Sequence, residues 1–480
     1  MQHRPPRVIA WFLNAAYAAL LVVLAPVLTW RIAVQRKYRT GWSEKLLGRL
    51  PQPGEAQSTK HKAPTHPSPL TTHPPRLWLH AVSVGEVLQL QQIVRRIREQ
   101  RPDVEFVIST TTVTGHAVAR EKFPDDTVCY FPLDFSWAVR RAIRRVRPAA
   151  IVLVELELWP NFILAAKAAG VPLVLVNGRI SEQSFRGYRR IRFLMRRLLG
   201  CFETLAVQNE TYGRRLVELG ARSDNVVITG SIKFDGVETG RNNAKTLELR
   251  RAFGIADNER VFIAGSTQEP EEGYALDTWL ALRPEFPDLR LILVPRHKER
   301  FEAVARLVES RGLALVRRSA GRGSRVKGQG RESRESRVES VDPRPICLLD
   351  TLGELAACWG LADVAFVGGS LTTRGGQNMI EPAAYGAAVL FGPDTRNFRD
   401  VVELLLSHGA ARVVQDAGDL TRTVRELLTD SQAASRQGQI AQQLVLAQQG
   451  ATAKTVSLVL DSIEPADKVS GSGERLRFAA

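Results

Sequence analysis

The stretch LADVAFVGGSLTTRGGQNMIEPAAYGAAVLFGPDTRNFRD, Leu361–Asp400, decides the fold. It predicts a buried strand over Val364–Val367, a loop holding Gly368, Gly369, Gly375 and Gly376, a helix opening near Asn378 and Glu381, and a second buried strand over Ala388–Phe391. Glycines let a backbone come close to a ligand, and the N-terminus of the following helix offers unpaired N–H groups to a phosphate. At the carboxyl end of a parallel strand, such a loop is a place to hold a nucleotide. The alternative is a glycine turn that binds nothing.

The same rhythm runs outward in both directions. Apolar runs at Leu77–Val82, Phe106–Ser109, Ile151–Val154, Leu173–Asn177 and Leu205–Val207 alternate with amphipathic stretches such as Val87–Glu99 and Ala138–Val146. After Arg241 it restarts with Val261–Ala264, Leu291–Val294, Ala314–Val316 and Ile346–Leu349. Short strands separated by helices predict right-handed βαβ units and parallel sheets. We therefore expect two α/β, Rossmann-like domains, over 76–235 and 236–465, with a ligand cleft between the carboxyl ends of the sheets.

The flanking segments differ in character. VIAWFLNAAYAALLVVLAPVLTW, Val8–Trp30, is interrupted only by Asn14 and Pro26 and is long enough to cross a hydrocarbon core of about 30 Å. It lacks a small-residue cleavage site, so an uncleaved membrane anchor is expected, with a basic juxtamembrane segment to residue 50. Arg31, Arg36, Lys37, Arg39, Lys45 and Arg49 follow it, against Arg4 and Arg7 before it, which places the rest of the chain in the cytoplasm as a single-pass inner-membrane protein. Residues 51–75 read as a tether, 317–343 as a disordered insertion and 466–480 as a polar tail. The formal charge of +16 attracts anions without choosing among them. Cys129, Cys201, Cys347 and Cys358 are too scattered for a disulfide framework or a structural zinc.

Candidate chemistry clusters at strand ends. In LHAVSVGEVL, Glu86 lies at a helix start, where a carboxylate complements the dipole by about 0.3–1 kcal/mol, and also where a catalytic base belongs. VELELWPNF carries Glu155 and Glu157, which alternation puts on one face beside apolar neighbours. One of them as a helix cap with the other paired to an arginine, or a site role, are both open. NGRISEQSFRGYRRIRFLMRRLLG is basic and amphipathic, suited to an acidic membrane or a phosphorylated lipid. VPRHKERF presents Arg296 and His297 as an anion site, and AGSTQE presents Ser266 and Thr267 at another strand end.

Seven motifs in order, HAVSVGE, VELELWPN, NGRISEQSFRGY, GSIKFD, AGSTQEPEE, VPRHKERF and FVGGSLTTRGGQNMIEPAAYGAAVLFGP, resemble the 3-deoxy-D-manno-octulosonic acid (Kdo) transferases between about Arg76 and about Gly450. The resemblance implies a membrane-anchored GT-B glycosyltransferase that moves Kdo from CMP-Kdo to a lipid A precursor in lipopolysaccharide core biosynthesis. It implies Glu86 as general base and Glu157 as a second catalytic carboxylate. Arg296, His297, Gly368, Gly369, Asn378 and Glu381 fall on the donor side. Ser83, Gly85, Arg179, Ser184 and Arg186 fall on the acceptor side, with Lys233, Ser266 and Thr267 as further site residues. No DxD motif is present, and neither a metal nor a cofactor beyond the donor is expected. The expected partners are the two substrates and the membrane, through the N-terminal helix and the basic surface; no nucleic acid is expected beyond the donor nucleotide. Four features depart from the family pattern: Gln268 and Gln377 stand where histidine is usual, Leu156 replaces threonine, Ser231–Ile232 replaces asparagine–leucine, and the basic insertion is foreign. A GT-B enzyme using another nucleotide sugar, or a non-catalytic membrane-anchored anion binder, are the rival readings.

Overall fold

Alternate residues of the first apolar runs face opposite ways, and this lets one sheet carry helices on both sides. Trp78, Ile151, Leu153, Leu173 and Leu175 enter one core, while Leu77, Leu79, Val152, Val154, Val174 and Val176 enter the other. The structure, a computed structural model, describes residues 7–33, 40–51, 74–320, 325–326 and 344–464. The expected tether and tail, and much of the insertion, lie outside the described residues. The chain divides into two units: one runs to Asp235 and resumes at Gln449, and the other is Gly236–Gln448.

In the first unit the strands are β1 (Arg76–His80), β2 (Glu105–Thr110), β3 (Thr127–Tyr130), β4 (Ala150–Val154), β5 (Leu173–Gly178), β6 (Thr204–Val207) and β7 (Val226–Ile228). They form a seven-stranded sheet in the order β3-β2-β1-β4-β5-β6-β7, parallel throughout. Its helices are α1 (Arg7–Ala33), α2 (Trp42–Leu47), α3 (Val84–Gln100), α4 (Val113–Lys122), α5 (Ser136–Val146), α6 (Pro160–Ala168), α7 (Glu182–Arg190), α8 (Arg192–Leu199) and α9 (Glu210–Glu218).

The second unit contains β8 (Arg260–Thr267), β9 (Leu289–Pro295), β10 (Leu315–Arg317), β11 (Arg325–Val326), β12 (Ile346–Leu348), β13 (Val364–Val367), β14 (Ala388–Phe391) and β15 (Ala411–Val413). Their order is β11-β10-β12-β9-β8-β13-β14-β15, and β11 alone among them pairs antiparallel. Its helices are α10 (Ala244–Phe253), α11 (Glu271–Leu282), α12 (Phe301–Ser310), α13 (Leu355–Cys358), α14 (Ile380–Ala384), α15 (Arg399–Ser407), α16 (Ala417–Thr429) and α17 (Ser431–Ala447).

The last helix, α18 (Ala451–Asp461), was expected in the second domain and belongs to the first. Ala451, Val456 and Val459 complete the core around α3. Burying the two valines contributes about 3 kcal/mol or more. Asp235 fastens the return: its carboxylate accepts from the backbone N–H groups of Gly450, at 2.7 Å, and Thr452.

Three further expectations are corrected. Strands β3, β7 and β15 were not anticipated, because TVCY, VVI and ARV are too short to stand out as apolar runs. The insertion is not loop from its first residue. Arg317 ends β10 and bonds Asp350 at 2.7 Å and also Glu302, and Arg318 bonds Glu354 at 2.8 Å and Glu248 at 2.6 Å. These carboxylates, distant in sequence, turn charges that read as solvated into ordered ones. The basic amphipathic stretch is two helices, α7 and α8, broken at Ile191; Phe185, Met195 and Leu198 are buried, while Phe193 stays 80% exposed.

The segment expected as an anchor is helical throughout. α1 has 27 residues, about 40 Å at 1.5 Å per residue. Among the described residues no helix is long and apolar enough to cross a membrane. Polar residues of α1 dock on the first unit: Asn14 Nδ2 donates to Ser136 Oγ at 2.9 Å, and the Tyr17 hydroxyl donates to Asp134 at 2.9 Å.

Candidate active site

The first unit gathers carboxylates at the carboxyl ends of neighbouring strands β1 and β4. Ser83 caps α3 and Glu86 sits one turn in, so the pair forms a capping box. Glu86 Oε1 accepts from the Ser83 hydroxyl at 2.7 Å, and Oε2 accepts from Val82 N–H at 2.8 Å. The residue is 8% exposed; burial pushes its carboxyl up, the bonds to Ser83 and Val82 pull it back, and Glu155 adds a further push upward. Gly85 lies inside α3, and a Cβ there would meet only Ser83 Oγ at 3.9 Å, so it leaves open space beside Glu86.

Glu155 and Glu157 are not on a strand face. β4 ends at Val154, and Glu155 adopts a left-handed φ of 58°, so the expected alternation stops before both. Glu155 pairs with Arg179 at 2.8 Å. Neither glutamate caps α6; Asp134 does, accepting from Asn161 N–H at 2.9 Å and Phe162 N–H at 2.8 Å while it also takes the Tyr17 hydroxyl. Burial, above all, pushes the Asp134 carboxyl up to about 6. Glu157 is pushed up to about 7, chiefly by burial and then by the charge of Glu86, with Glu155 pushing the same way. Burial and the Glu157 charge in turn push the Tyr188 phenol up, which places α7 beside the same cluster.

The other acceptor-side residues divide. Arg179 joins the cluster through Glu155. Ser184 is bound to the α7 cap, Ser181, through its N–H at 3.1 Å, and Arg186 pairs with Glu182 at 3.0 Å, 72% exposed; neither bonds to the three glutamates. Lys233 lies in the short turn Ile232–Phe234, next to Asn177. Asn177 was expected only as the end of a strand. It is the penultimate residue of β5, at a φ of 53°, and is fully buried, with its side chain bound to Gln89 at 2.7 Å and Ile232 N–H at 3.3 Å. An asparagine before a glycine at a strand end, VNGR, is the signal that would have found it.

In the second unit the site forms at the ends of β8, β9 and β13. The glycine loop is not open to a phosphate as expected. Glu271, fully buried at the start of α11, fills it: Oε2 accepts from Gln268 N–H at 2.9 Å and Gly369 N–H at 2.7 Å, and Oε1 from Ser370 N–H at 3.0 Å and Leu371 N–H at 2.9 Å. Backbone N–H groups arranged in a concavity select an anion, and here the anion is a side chain of the protein. Burial pushes the Glu271 carboxyl up and these bonds hold it down. Gly368 is required by crowding, since a Cβ would stand 2.6 Å from Thr267 Cα. The helix expected at Asn378 is the single turn α14, and it begins at Ile380.

What remains available there are side chains. Arg296 is exposed, tied through its N–H to Thr267 O at 3.0 Å, and its positive charge favours the ionised form of Glu381. Asn378 Nδ2 donates to Glu381 Oε1 at 3.0 Å, and burial pushes that carboxyl up. Gln377 and Gln268 approach each other over Gly369, whose φ is +68° and where a Cβ would lie 3.3 Å and 3.6 Å from their Nε2 atoms. His297 is exposed and opens the turn Lys298–Arg300. Thr267 is fully buried with its hydroxyl on Val294 O at 3.5 Å, and Ser266 holds a left-handed φ of 56°. Arg296, Asn378, Glu381, Gly369 and the two glutamines are thus brought together, whereas Thr267 and the loop N–H groups serve the fold.

The described architecture is shared with a UDP-GlcNAc 2-epimerase from Neisseria meningitidis, solved bound to UDP-GlcNAc. The TM-score is 0.53 at 11% identity, covering 80% of this chain and 100% of that one. Two α/β units built on largely parallel sheets define the GT-B fold. Residues 41–236 match the family profile described as 3-deoxy-D-manno-octulosonic-acid transferase (kdotransferase). A 3-deoxy-D-manno-octulosonic acid transferase of Bordetella pertussis is 32% identical over 82% of this chain and 88% of its own length, and one of Haemophilus influenzae is 31% identical over 82% and 88%. The chain belongs to the 3-deoxy-D-manno-octulosonic acid transferase family.

Proposed function

We propose that this enzyme transfers Kdo from CMP-Kdo to a sugar hydroxyl of a lipid A precursor, with inversion. The acceptor oxygen bonds to the anomeric carbon as the bond from that carbon to the CMP phosphate breaks. The hydroxyl proton goes to Glu86, and CMP leaves carrying the electron pair on its phosphate oxygen. The observation that carries this reading is the Glu86 carboxylate, held by Val82 N–H and the Ser83 hydroxyl beside the open space at Gly85. On the donor side, Arg296 meets the phosphate, while Asn378 and Glu381 orient the nucleotide.

A second assignment of the base has its own support. Both Glu86 oxygens are engaged, whereas Glu157, pushed up to about 7, is better matched to proton transfer at neutral pH. Losing a general base costs about 10²–10⁴ in rate. The experiment is turnover of Glu86→Gln and Glu157→Gln with CMP-Kdo and a lipid A precursor, the product weighed by mass spectrometry. A loss of that size in Glu86→Gln alone supports the first assignment; wild-type turnover in that variant sinks it. Turnover with UDP-sugars in place of CMP-Kdo would replace the donor reading.

Membrane attachment belongs to the same proposal. α1 would hold the enzyme at the inner membrane, single-pass, with the catalytic units facing the cytoplasm as the excess of basic residues after it suggests. The exposed arginines of α7 and α8 supply a second contact. Sedimentation of the full chain with acidic vesicles at low salt, compared with a chain lacking residues 1–50, tests both.

A further inference from the structure

The second unit holds a cavity of about 370 Å³ that takes no part in the proposed reaction. Arg241 lines it, with Arg260 at the first residue of β8, Asp363 just before β13, and residues of α16 and α17. Arg260 and Asp363 mark the amino end of the sheet, whereas Thr267 closes β8 at the carboxyl end, where the donor side chains gather. At about 3.3 Å per residue, β8 separates the two ends by about 23 Å. The charged groups of the cavity are not paired with each other. The half-buried Arg241 guanidinium donates through Nε to Tyr385 O at 2.9 Å, and its two terminal nitrogens have no partner among the described residues. Asp363 Oδ2 accepts from Val261 N–H at 2.8 Å, and its Oδ1 has no partner among the described residues. Burial pushes the Arg241 guanidinium down and the Asp363 carboxyl up, and the charge of each opposes the shift in the other. Arg260 has nothing to offer a ligand, since Asp288 and Leu428 O occupy its nitrogens.

The lining selects the ligand. A purely anionic molecule would be repelled by Asp363, and a purely cationic one by Arg241. A molecule carrying both charges a few atoms apart avoids both penalties. Its carboxylate accepts paired N–H bonds from the guanidinium, and its ammonium offers three N–H groups to carboxylate and amide oxygens. Gln442 supplies such an amide oxygen: Nε2 is committed to Ala384 O at 2.8 Å and Thr239 O at 3.3 Å, while Oε1 has no partner among the described residues. Gly386 keeps that oxygen in reach, since a Cβ there would stand 3.6 Å from it. Val364, Leu427 and Leu428 are buried and give the cavity an aliphatic wall. Its volume lies at the lower end of small-molecule sites, which run from about 300 to 1,000 Å³.

We infer that this cavity binds a free aliphatic α-amino acid, with its carboxylate on Arg241, its ammonium on Asp363 and Gln442, and its side chain on Val364, Leu427 and Leu428. Equilibrium dialysis of the purified full chain with radiolabelled L-leucine tests this. The competitors are 4-methylpentanoate, which is leucine without the ammonium, and 3-methylbutylamine, which is leucine without the carboxylate. The parent should bind leucine, and each competitor roughly ten- to a hundredfold more weakly, because each has lost a hydrogen-bonded charge. Asp363→Asn keeps an acceptor for Val261 N–H; it should lose leucine by a similar factor and bind 4-methylpentanoate more tightly than the parent does. Arg241→Gln should lose leucine likewise and gain on the parent for 3-methylbutylamine. Misfolding does not produce such exchanges of preference, and a parent-like circular dichroism spectrum checks the fold separately. A parent that binds no leucine at millimolar concentration, or binds the three compounds equally, overturns the site. A folded variant that lacks its exchange of preference overturns it as well. Displacement of leucine by CMP would place the amino acid among the donor side chains and is equally fatal. Where a variant fails to fold, the comparison of the three compounds on the parent decides.

Discussion

Replacing Glu271 by glutamine tests whether the glycine loop is held by an internal anion. The carboxylate accepts four backbone N–H bonds, two on each oxygen. A glutamine carboxamide keeps one oxygen, so two of the four N–H groups would face an NH₂ donor. Each buried donor left without a partner costs about 1–3 kcal/mol, which gives roughly 2–6 kcal/mol for the pair. Glu271 also carries a burial penalty that glutamine escapes, so the lower half of that range is expected. Against a typical total of about 5–15 kcal/mol, this is a large fraction of the stability of the second unit. Urea unfolding of the full chain, with the buried Trp279 and Trp359 reporting on that unit, measures it. A shift below about 0.5 kcal/mol would refute the four-bond account, since that is within the range of an indifferent surface substitution. The freed concavity supplies a second readout: sulfate should raise the unfolding midpoint of Glu271→Ala more than that of the parent, because it binds the folded state only.

Three other outcomes follow from the geometry. Glu157 is pushed from 4.5 to about 7 on folding, so between those values the folded state holds the extra proton and stability falls as pH rises through that window. Glu157→Gln should therefore gain on the parent by roughly 1–2 kcal/mol between the acid and alkaline ends of an unfolding series, after discounting for solvent screening; parallel curves would refute the cause given for the shift. Asp134→Asn removes half of the α6 cap and the acceptor of the Tyr17 hydroxyl, and should cost about 1–2 kcal/mol in urea unfolding. Gln377→His places a titratable ring over Gly369, so the KM for donor should come to rise with pH around the ordinary imidazole value of about 6.5, while the parent stays flat there; a flat profile in the variant would place Gln377 away from the donor.

How much was legible in the sequence depended on whether a residue's partner was local. The strands flanking the glycine loop are found at the expected bounds, Val364–Val367 and Ala388–Phe391, because strands buried on both faces read as unbroken apolar runs. The place of Glu86 at a helix start was equally local, although its bond to the Ser83 cap was not anticipated. The occupant of the loop was not, because Glu271 lies 98 residues before Gly369 and nothing near the glycines announces it. The alternation that put Glu155 and Glu157 on one face held only while the chain stayed extended, and it turns left-handed at Glu155. The convergence of Gln268 and Gln377 over Gly369 was likewise invisible, although each had stood out singly as a departure from the family pattern.

The return of α18 to the first unit sets an order of assembly during synthesis. The strands and helices before Asp235 emerge from the ribosome first, yet their core stays open along α3 until the last described helix has been made. The second unit, contiguous from Gly236 to Gln448, is complete before that closure. A chain that stops short of Gly450 would therefore display a bare apolar stripe and an Asp235 carboxylate without its Gly450 and Thr452 partners. Chaperones and proteases act on such exposed surface, so the first unit stays open to them until α18 has docked.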